Sequence, residues 1–396
     1  MHSTRTPITE IFLTFLGLGL TSFGGPVAHL GYFRHAFVIR RQWLDDASYA
    51  ELVALCQFLP GPASSQVGLA IGLIRGGLSG AFAAWLAFTL PSALLLMVVA
   101  AGASSLEGPL VTSLTDALKL VAVVIVAQAL LGMARNLCPD ARRASLAAVA
   151  VMLVVLIGGA VGHLVAITVG ALAGVLLCQS DAEQQDRHSF DIQISRRTSL
   201  IALVAFVALL VGLPLLHQAW SANWLGLTDA TYRSGALVFG GGHVVLPLLE
   251  TAMVAPGWVS EQDFLAGYGA AQAVPGPLFT FAAWLGMVAE GGGIATALLM
   301  LVAIFLPGAL LVVGLLPHWQ RLRHMRALQA AMRGANATVV GLLAVAFHDP
   351  VWRSAVSSAE DFALVVAGFV IVVVWRQPAW LIVLAGISIG LLRGLF

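Results

Sequence analysis

Gln57-Phe58-Leu59-Pro60-Gly61-Pro62, with its copy Gln272-Ala273-Val274-Pro275-Gly276-Pro277 further along the chain, is the stretch whose reading decides the fold. Pro60 pushes Leu59 out of the helical region, Gly61 permits a sharp turn, and Pro62 suits the first position of a new helix. A helix therefore stops and another starts, in a region apolar enough to lie in a bilayer. At membrane depth such a break is tolerated only where protein or water lines a cavity.

The copy belongs to an ordered series. Phe23-Gly24-Gly25 recurs as Phe239-Gly240-Gly241, Trp43 as Trp258, Gly76-Gly77 as Gly291-Gly292 and Pro91 as Pro307, always 215 or 216 residues on. Chance supplies single Gly or Pro matches, not a series that includes Gln and Trp in register. The expected organisation is an N-terminal repeat (1–178), a polar cytoplasmic linker (179–198), a connecting transmembrane helix and loop (199–230) and a C-terminal repeat (231–396).

The 396 residues are 59% hydrophobic and only 10% charged, with a mean hydropathy of +0.94. That composition excludes a soluble enzyme, a secreted domain and a nucleic-acid binder, and describes an all-α polytopic membrane protein. Cys56, Cys138 and Cys178 are far apart in apolar surroundings, so they read as core residues. No cleavage site follows the first apolar stretch, which reads as an uncleaved membrane segment.

Arginine placement predicts orientation. In the first half, 33–42 and 135–143 carry arginines and 102–116 carries none; in the second, 250–261 carries none and 317–333 carries Arg321, Arg323, Arg326 and Arg333. Equivalent loops thus have opposite bias, which predicts an inverted-topology repeat. Nine apolar spans are expected, at about 77–101, 117–133, 144–157, 160–178, 199–217, 292–316, 334–348, 361–376 and 378–395. The regions 8–32, 45–75, 231–249 and 262–290, interrupted by Gly and Pro, read as broken or re-entrant helices. The N-terminus and linker then fall in the cytoplasm and the C-terminus outside.

The new helix beginning after Pro62 exposes first-turn N–H groups at Ala63, Ser64 and Ser65, with the positive end of its dipole. That is an anion site, which Gln57, Ser64 and Ser65 can complete with side-chain donors. The second half repeats the geometry with poorer chemistry, since Phe279-Thr280-Phe281 replaces Ser64-Ser65-Gln66. The motifs Gly24-Gly25-Pro26 and Gly240-Gly241-Gly242-His243 either let backbone approach a ligand or pack helices. Lys119, three residues after Asp116, is either a substrate-binding cation or a lysine paired with Asp116 at the outer interface. Glu51, Glu250, Glu290, His29 and His243 are candidate proton carriers or structural groups, and Arg75 reads as a topology marker. Asn336 reads as an interhelical bond. No metal site and no cofactor are expected.

The FGGP of 23–26, the FGGGHVVLP of 239–247, both Q-x-x-P-G-P blocks and the two-half layout resemble the chromate ion transporter family over nearly the whole chain. The resemblance implies export of chromate, with sulfate as a related oxyanion, across the bacterial inner membrane, hence chromate resistance. The departure at Phe279–Phe281 bears on whether the second turn touches substrate.

A dianion leaving a negative interior gains about 4.6 kcal/mol per 100 mV, so export needs no obligatory coupling proton. Uptake would need a buried carboxylate relay that the sequence does not display. The site residues expected from this reading are Gly24, Gly25, Gln57, Pro60, Gly61, Pro62, Ser64, Ser65, Lys119, Gly240–His243, Gln272, Pro275, Gly276 and Pro277. The expected partners are the oxyanion and the lipid bilayer, with a homodimer as a further expectation. The alternatives are a flippase for a phosphate-headed lipid and an uptake carrier for sulfate or another oxyanion. Gly77-Leu78-Ser79-Gly80 matches a rhomboid-protease string but has no partner histidine; no H-E-x-x-H and no P-loop are found.

Overall fold

A computed structural model describes residues 6–103, 109–179, 194–239 and 244–395. All regular elements among them are helical. The first half comprises α1 (Ile8–Thr21), α2 (Gly25–Phe33), α3 (Asp46–Phe58), α4 (Ala63–Ala103), α5 (Pro109–Leu137), α6 (Ala141–Ile157) and α7 (Gly159–Leu177). Helix α8 (Arg196–Ala219) follows. The second half comprises α9 (Asn223–Ala236), α10 (Val245–Met253), α11 (Glu261–Ala273), α12 (Phe281–Val288), α13 (Ile294–Leu315), α14 (Trp319–Leu322), α15 (Arg326–Ala346), α16 (Arg353–Ala355), α17 (Ala359–Phe369) and α18 (Ala379–Leu395). Adding 215 to the bounds of α1 and α3 returns those of α9 and α11, so the duplicated sequence builds duplicated structure.

Among the described residues, six helical stretches are long and apolar enough to cross a membrane: Ala63–Gly102, Ser113–Leu137, Gly159–Leu177, Arg196–Ala219, Ile294–Leu322 and Arg326–Ala355. Three further expected spans correspond to the shorter helices α6, α17 and α18. The first long stretch is two helices. Gly77 takes φ 68° and ψ −158°, and Gly72 returns against Gly80 so closely that a Cβ on Gly72 would lie 2.4 Å from the Gly80 carbonyl oxygen. Large side chains such as Leu156, Leu176 and Val98 stand outward and exposed. Water would not solvate that belt, whereas lipid does, and the helices satisfy their own backbone groups.

The halves interlock reciprocally. Helix α7 of the first half packs on α15 of the second, and α18 of the second packs on α5 of the first. Each contact runs through a glycine pair four residues apart, Gly170 and Gly174 on α7 and Gly386 and Gly390 on α18, again 216 residues apart. At the first crossing a Cβ on Gly334 would stand 2.0 Å from the Gly170 carbonyl oxygen. At the second a Cβ on Gly390 would stand 2.9 Å from the Ser113 carbonyl oxygen. Small residues let the backbones approach where lipid provides no hydrophobic drive between helices.

Candidate functional site

Leu59 caps α3 in an extended conformation (ψ 147°), Gly61 takes φ 124°, and α4 opens at Ala63 with Gln66 N–H donating to the Pro62 carbonyl at 2.9 Å. Left-handed backbone at Gly61 admits glycine readily and other residues only with strain. Its freed N–H donates to the Val238 carbonyl at 2.7 Å, in the other half. The equivalent Gly276 (φ 101°) donates to the Ser22 carbonyl at 2.9 Å. Ser22 and Val238 are themselves equivalent, each preceding a Phe-Gly-Gly motif.

The reciprocity extends to the long helices. A Cβ on Gly61 would lie 3.2 Å from the Gly308 Cα, just past Pro307, while one on Gly276 would lie 2.9 Å from the Ser92 Oγ, just past Pro91. Each Pro-Gly-Pro turn thus nests against the residue that follows the helix proline of the opposite half. Neither placement follows from local sequence.

Around the first turn lies a buried polar cluster. His29, fully buried, has Nδ1 3.3 Å from the Ser64 Oγ and Nε2 3.2 Å from the Ser22 carbonyl oxygen. That oxygen can only accept, so in the neutral ring Nε2 carries the proton and Nδ1 accepts from Ser64. The Gln66 Nε2 donates to the carbonyls of Pro60 (2.8 Å) and Gly308 (3.4 Å), which fixes the orientation of its amide. Four buried atoms on these segments find no partner within the protein: Ser22 Oγ, Ser65 Oγ and Gln66 Oε1 at the opening of α4, and Thr89 Oγ1 farther along α4. Each such group typically costs about 1–3 kcal/mol. The first-turn N–H groups of α4 add donors and a positive dipole end.

The second turn is built differently. The Thr280 hydroxyl is spent on the Pro277 carbonyl at 2.7 Å. Phe279 and Phe281 lie in aromatic contacts with Phe305, Phe264 and Tyr268. The Gln272 Nε2 is buried without a partner.

The predicted residues distribute as follows. Gly24 and Gly25 sit at the start of α2, with Pro26 in its first turn. Pro62, Ser64 and Ser65 are buried, and Pro60 is half-buried at the turn. Gln57 is exposed at the end of α3, and the amide at the turn is that of Gln66. Lys119 bonds Asp116 at 2.9 Å; its side chain is 14% exposed against 56% for its partner. Gly240, Gly241, Gly242 and His243 lie outside the described residues.

Several residues escaped the sequence reading. Ser22, Thr89 and Ser92 joined no motif. Asp229, buried on α9, pairs with Arg233 at 2.5 Å, an ion pair that i,i+4 spacing announces. Glu51, one of the candidate proton carriers or structural groups, accepts from the Trp319 Nε1 at 2.6 Å and from the Arg323 guanidinium, a contact between halves that the sequence does not announce.

The chromate transporter family profile matches residues 9–175 and 225–391. A chromate transport protein of Pseudomonas aeruginosa is 25% identical over 350 residues, covering 84% of this chain and 79% of that protein. One of Cupriavidus metallidurans is 27% identical over 349 residues, covering 87% and 82%. An uncharacterised transporter of Methanocaldococcus jannaschii is 26% identical over 342 residues, covering 84% and 82%. No solved structure matches the chain.

Proposed function

The chain belongs to the chromate transporter family, a multi-pass membrane transporter and not an enzyme, and we propose that it expels chromate, with sulfate as a related cargo, across a bacterial inner membrane. The observation that carries this reading is the buried cluster at the start of α4. There a helix N-terminus and the unpartnered hydroxyl of Ser65 supply donors at the junction of the two halves, with Ser64 linked through His29 to Ser22, whose hydroxyl is also unpartnered. A tetrahedral oxyanion takes hydrogen bonds from such donors and is stabilised by the dipole. Lys119, the glycine motifs and the second Pro-Gly-Pro turn complete the proposed site, with the second turn the more structural of the two.

The proposed architecture is an inverted-topology repeat with helices broken at the Gly-Gly and Pro-Gly-Pro motifs. It divides into residues 1–178, a linker 179–198, a connecting segment 199–230 and residues 231–396. Two contacts support the inversion. Thr6 N–H donates to the Arg75 carbonyl at 3.0 Å, which puts the start of α1 beside the reversal at Gly77. Trp319 and Arg323, beyond the end of α13, meet Glu51 near the start of α3. The piece of α4 beyond Gly77 therefore begins on the side where its counterpart α13 ends. Arg34, Arg41, Arg143 and Arg323 then share that side, which the positive-inside rule makes cytoplasmic.

Flux of radiolabelled chromate in proteoliposomes under an imposed potential tests the reading. Export driven by an inside-negative potential and inhibited by sulfate supports it. Flux dependent on a pH gradient but indifferent to potential refutes the uncoupled mechanism, and transport of a phosphate-headed lipid with no chromate flux refutes the substrate class.

A further inference from the structure

Arg323 differs from its neighbours. Arg321 and Arg326 are exposed, as arginines that mark topology would be, whereas the Arg323 side chain is only 14% exposed. It bonds Glu51, whose side chain is 19% exposed, across the junction between halves. Only part of the guanidinium is used. Its Nη1 holds Glu51 Oε1, while its Nε is buried without a partner. A guanidinium held through Nη1 alone leaves its Nε–H idle, on the Nε/Nη2 edge that forms a planar fork matching two oxygens of a carboxylate or an oxyanion.

The position gives that fork a purpose. Trp319, which donates to Glu51, also lies with its ring centroid 5.5 Å from that of Phe58, tilted against it; Phe58 is the last residue of α3 before the Leu59-Pro60-Gly61 turn. Glu51 and Phe58 lie seven residues apart, about 10 Å along the helix. On the other wall, α13 carries Gly308 beside Gly61 and Gln66, and its end leads to Trp319 and Arg323. Leu52, Leu55, Leu59, Leu311, Val312 and Leu316 fill the space between. One seam thus runs from the Arg323–Glu51 pair at the arginine-rich face down to the buried polar cluster.

We propose that Arg323 is an oxyanion-receiving residue at the cytoplasmic end of this seam, and that Glu51 is the internal carboxylate the arriving anion displaces. With no anion present, Glu51 occupies the guanidinium and ties α3 to α14, closing the seam. An oxyanion binding through Nε and Nη2 neutralises the guanidinium, weakens the hold of Nη1 on Glu51, unties the halves and opens the way to the cluster. The guanidinium keeps an anion throughout the exchange, and the carboxylate released from it is the more exposed partner of the pair, at the arginine-rich face.

The inference rests on the transport reading above, and the test separates the two. The full-length chain is reconstituted, and equilibrium binding and half-saturation of transport are measured with radiolabelled chromate presented to each face. Glu51→Gln removes the competitor and keeps the shape that Trp319 meets. It is expected to lower the half-saturating concentration at the arginine-rich face roughly fivefold and to leave the opposite face unchanged. Arg323→Lys keeps the charge but loses the fork and is expected to raise it about tenfold. The double variant Glu51→Gln with Arg323→Gln should behave like Arg323→Gln alone. A double variant with wild-type half-saturation would show a structural strut only and overturn the proposal, as would a Glu51→Gln variant that binds more weakly. If wild-type protein in the same vesicles neither binds nor moves chromate or sulfate, the transport reading itself fails and this inference falls with it. Thermal melting of each variant in detergent identifies any that misfolds, and Glu51→Gln alone still decides the sign.

Discussion

Gly61 donates its backbone N–H to the carbonyl of Val238 at 2.7 Å, and the bond is repeated, one half exchanged for the other, between Gly276 and Ser22 at 2.9 Å. Each Pro-Gly-Pro turn thereby satisfies its glycine N–H with a carbonyl of the other half. In a bilayer, where water does not serve as the alternative partner, that closure binds the halves more firmly than it would in solution.

The two turns should respond differently to a methyl group. At Gly276 the added Cβ meets the Ser92 hydroxyl, so Gly276→Ala should cost about 1–3 kcal/mol, part of it recovered by Ser92→Gly, the residue found at the equivalent Gly308. At Gly61 the Cβ meets the Gln66 Nε2 at 2.8 Å, so Gly61→Ala should impair chromate binding as well as stability. Melting temperature and binding measured on the same preparations check this; equal binding by the two variants would remove the functional asymmetry between the turns.

The unpartnered hydroxyls of Ser22, Ser65 and Thr89 should trade stability against affinity. Removing a buried group that has no partner relieves a desolvation cost, so Ser65→Ala and Thr89→Ala should leave melting unchanged or raise it. If these hydroxyls bind substrate, chromate affinity should fall by about threefold to tenfold at the same time. A loss of stability with unchanged affinity would assign them to packing.

Gln66→Leu should be more severe than Gln57→Leu. Gln66 donates to the Pro60 and Gly308 carbonyls, and replacing it strands both, at roughly 1–3 kcal/mol for each buried acceptor. Gln57 is exposed, and its replacement should change melting by less than about 0.5 kcal/mol equivalent. Chromate flux at matched expression reads the functional counterpart; a larger flux defect at Gln57 would restore it as the principal side chain.

Glycines at the reciprocal crossings should be intolerant and those facing open space tolerant. Gly334→Ala drives a Cβ into the Gly170 carbonyl and should prevent stable assembly of α7 on α15. Gly132→Ala, inside α5 with nothing within 4 Å, should stabilise the helix by roughly 0.5–1 kcal/mol. Detergent melting curves distinguish the two.

Much of the fold was legible in residue order because the signals are local. Hydropathy marked the long helices, Pro and Gly marked the ends of α3 and α11, and the constant offset marked two halves. The glycine pairs at 170/174 and 386/390 carried the same offset in plain view, as a small-residue spacing that predicts helix crossings. The candidate site was legible only where it is one helix start, Ala63 to Ser65. Gln66 was passed over for Gln57 because spacing alone does not say which amide turns inward. Lys119 could be read either as a substrate-binding cation or as the partner of Asp116, and the ion pair with Asp116 is formed.

Sequence by itself determined that this protein lives in a membrane, that it is duplicated, and that α3 and α11 end before the two Pro-Gly-Pro turns. Those properties follow from composition, from the fixed φ of proline and from the permissive φ of glycine, all of which act within a few residues. Tertiary structure decided which turn meets which carbonyl, that His29 links Ser22 to Ser64, that Gln66 reaches Gly308 of the other half, and that Glu51 finds Arg323 across the halves. These pairings span tens to hundreds of residues and are set by the packing of whole helices. No local pattern encodes the partner of a charge or the fate of a freed N–H once the chain has left its own turn.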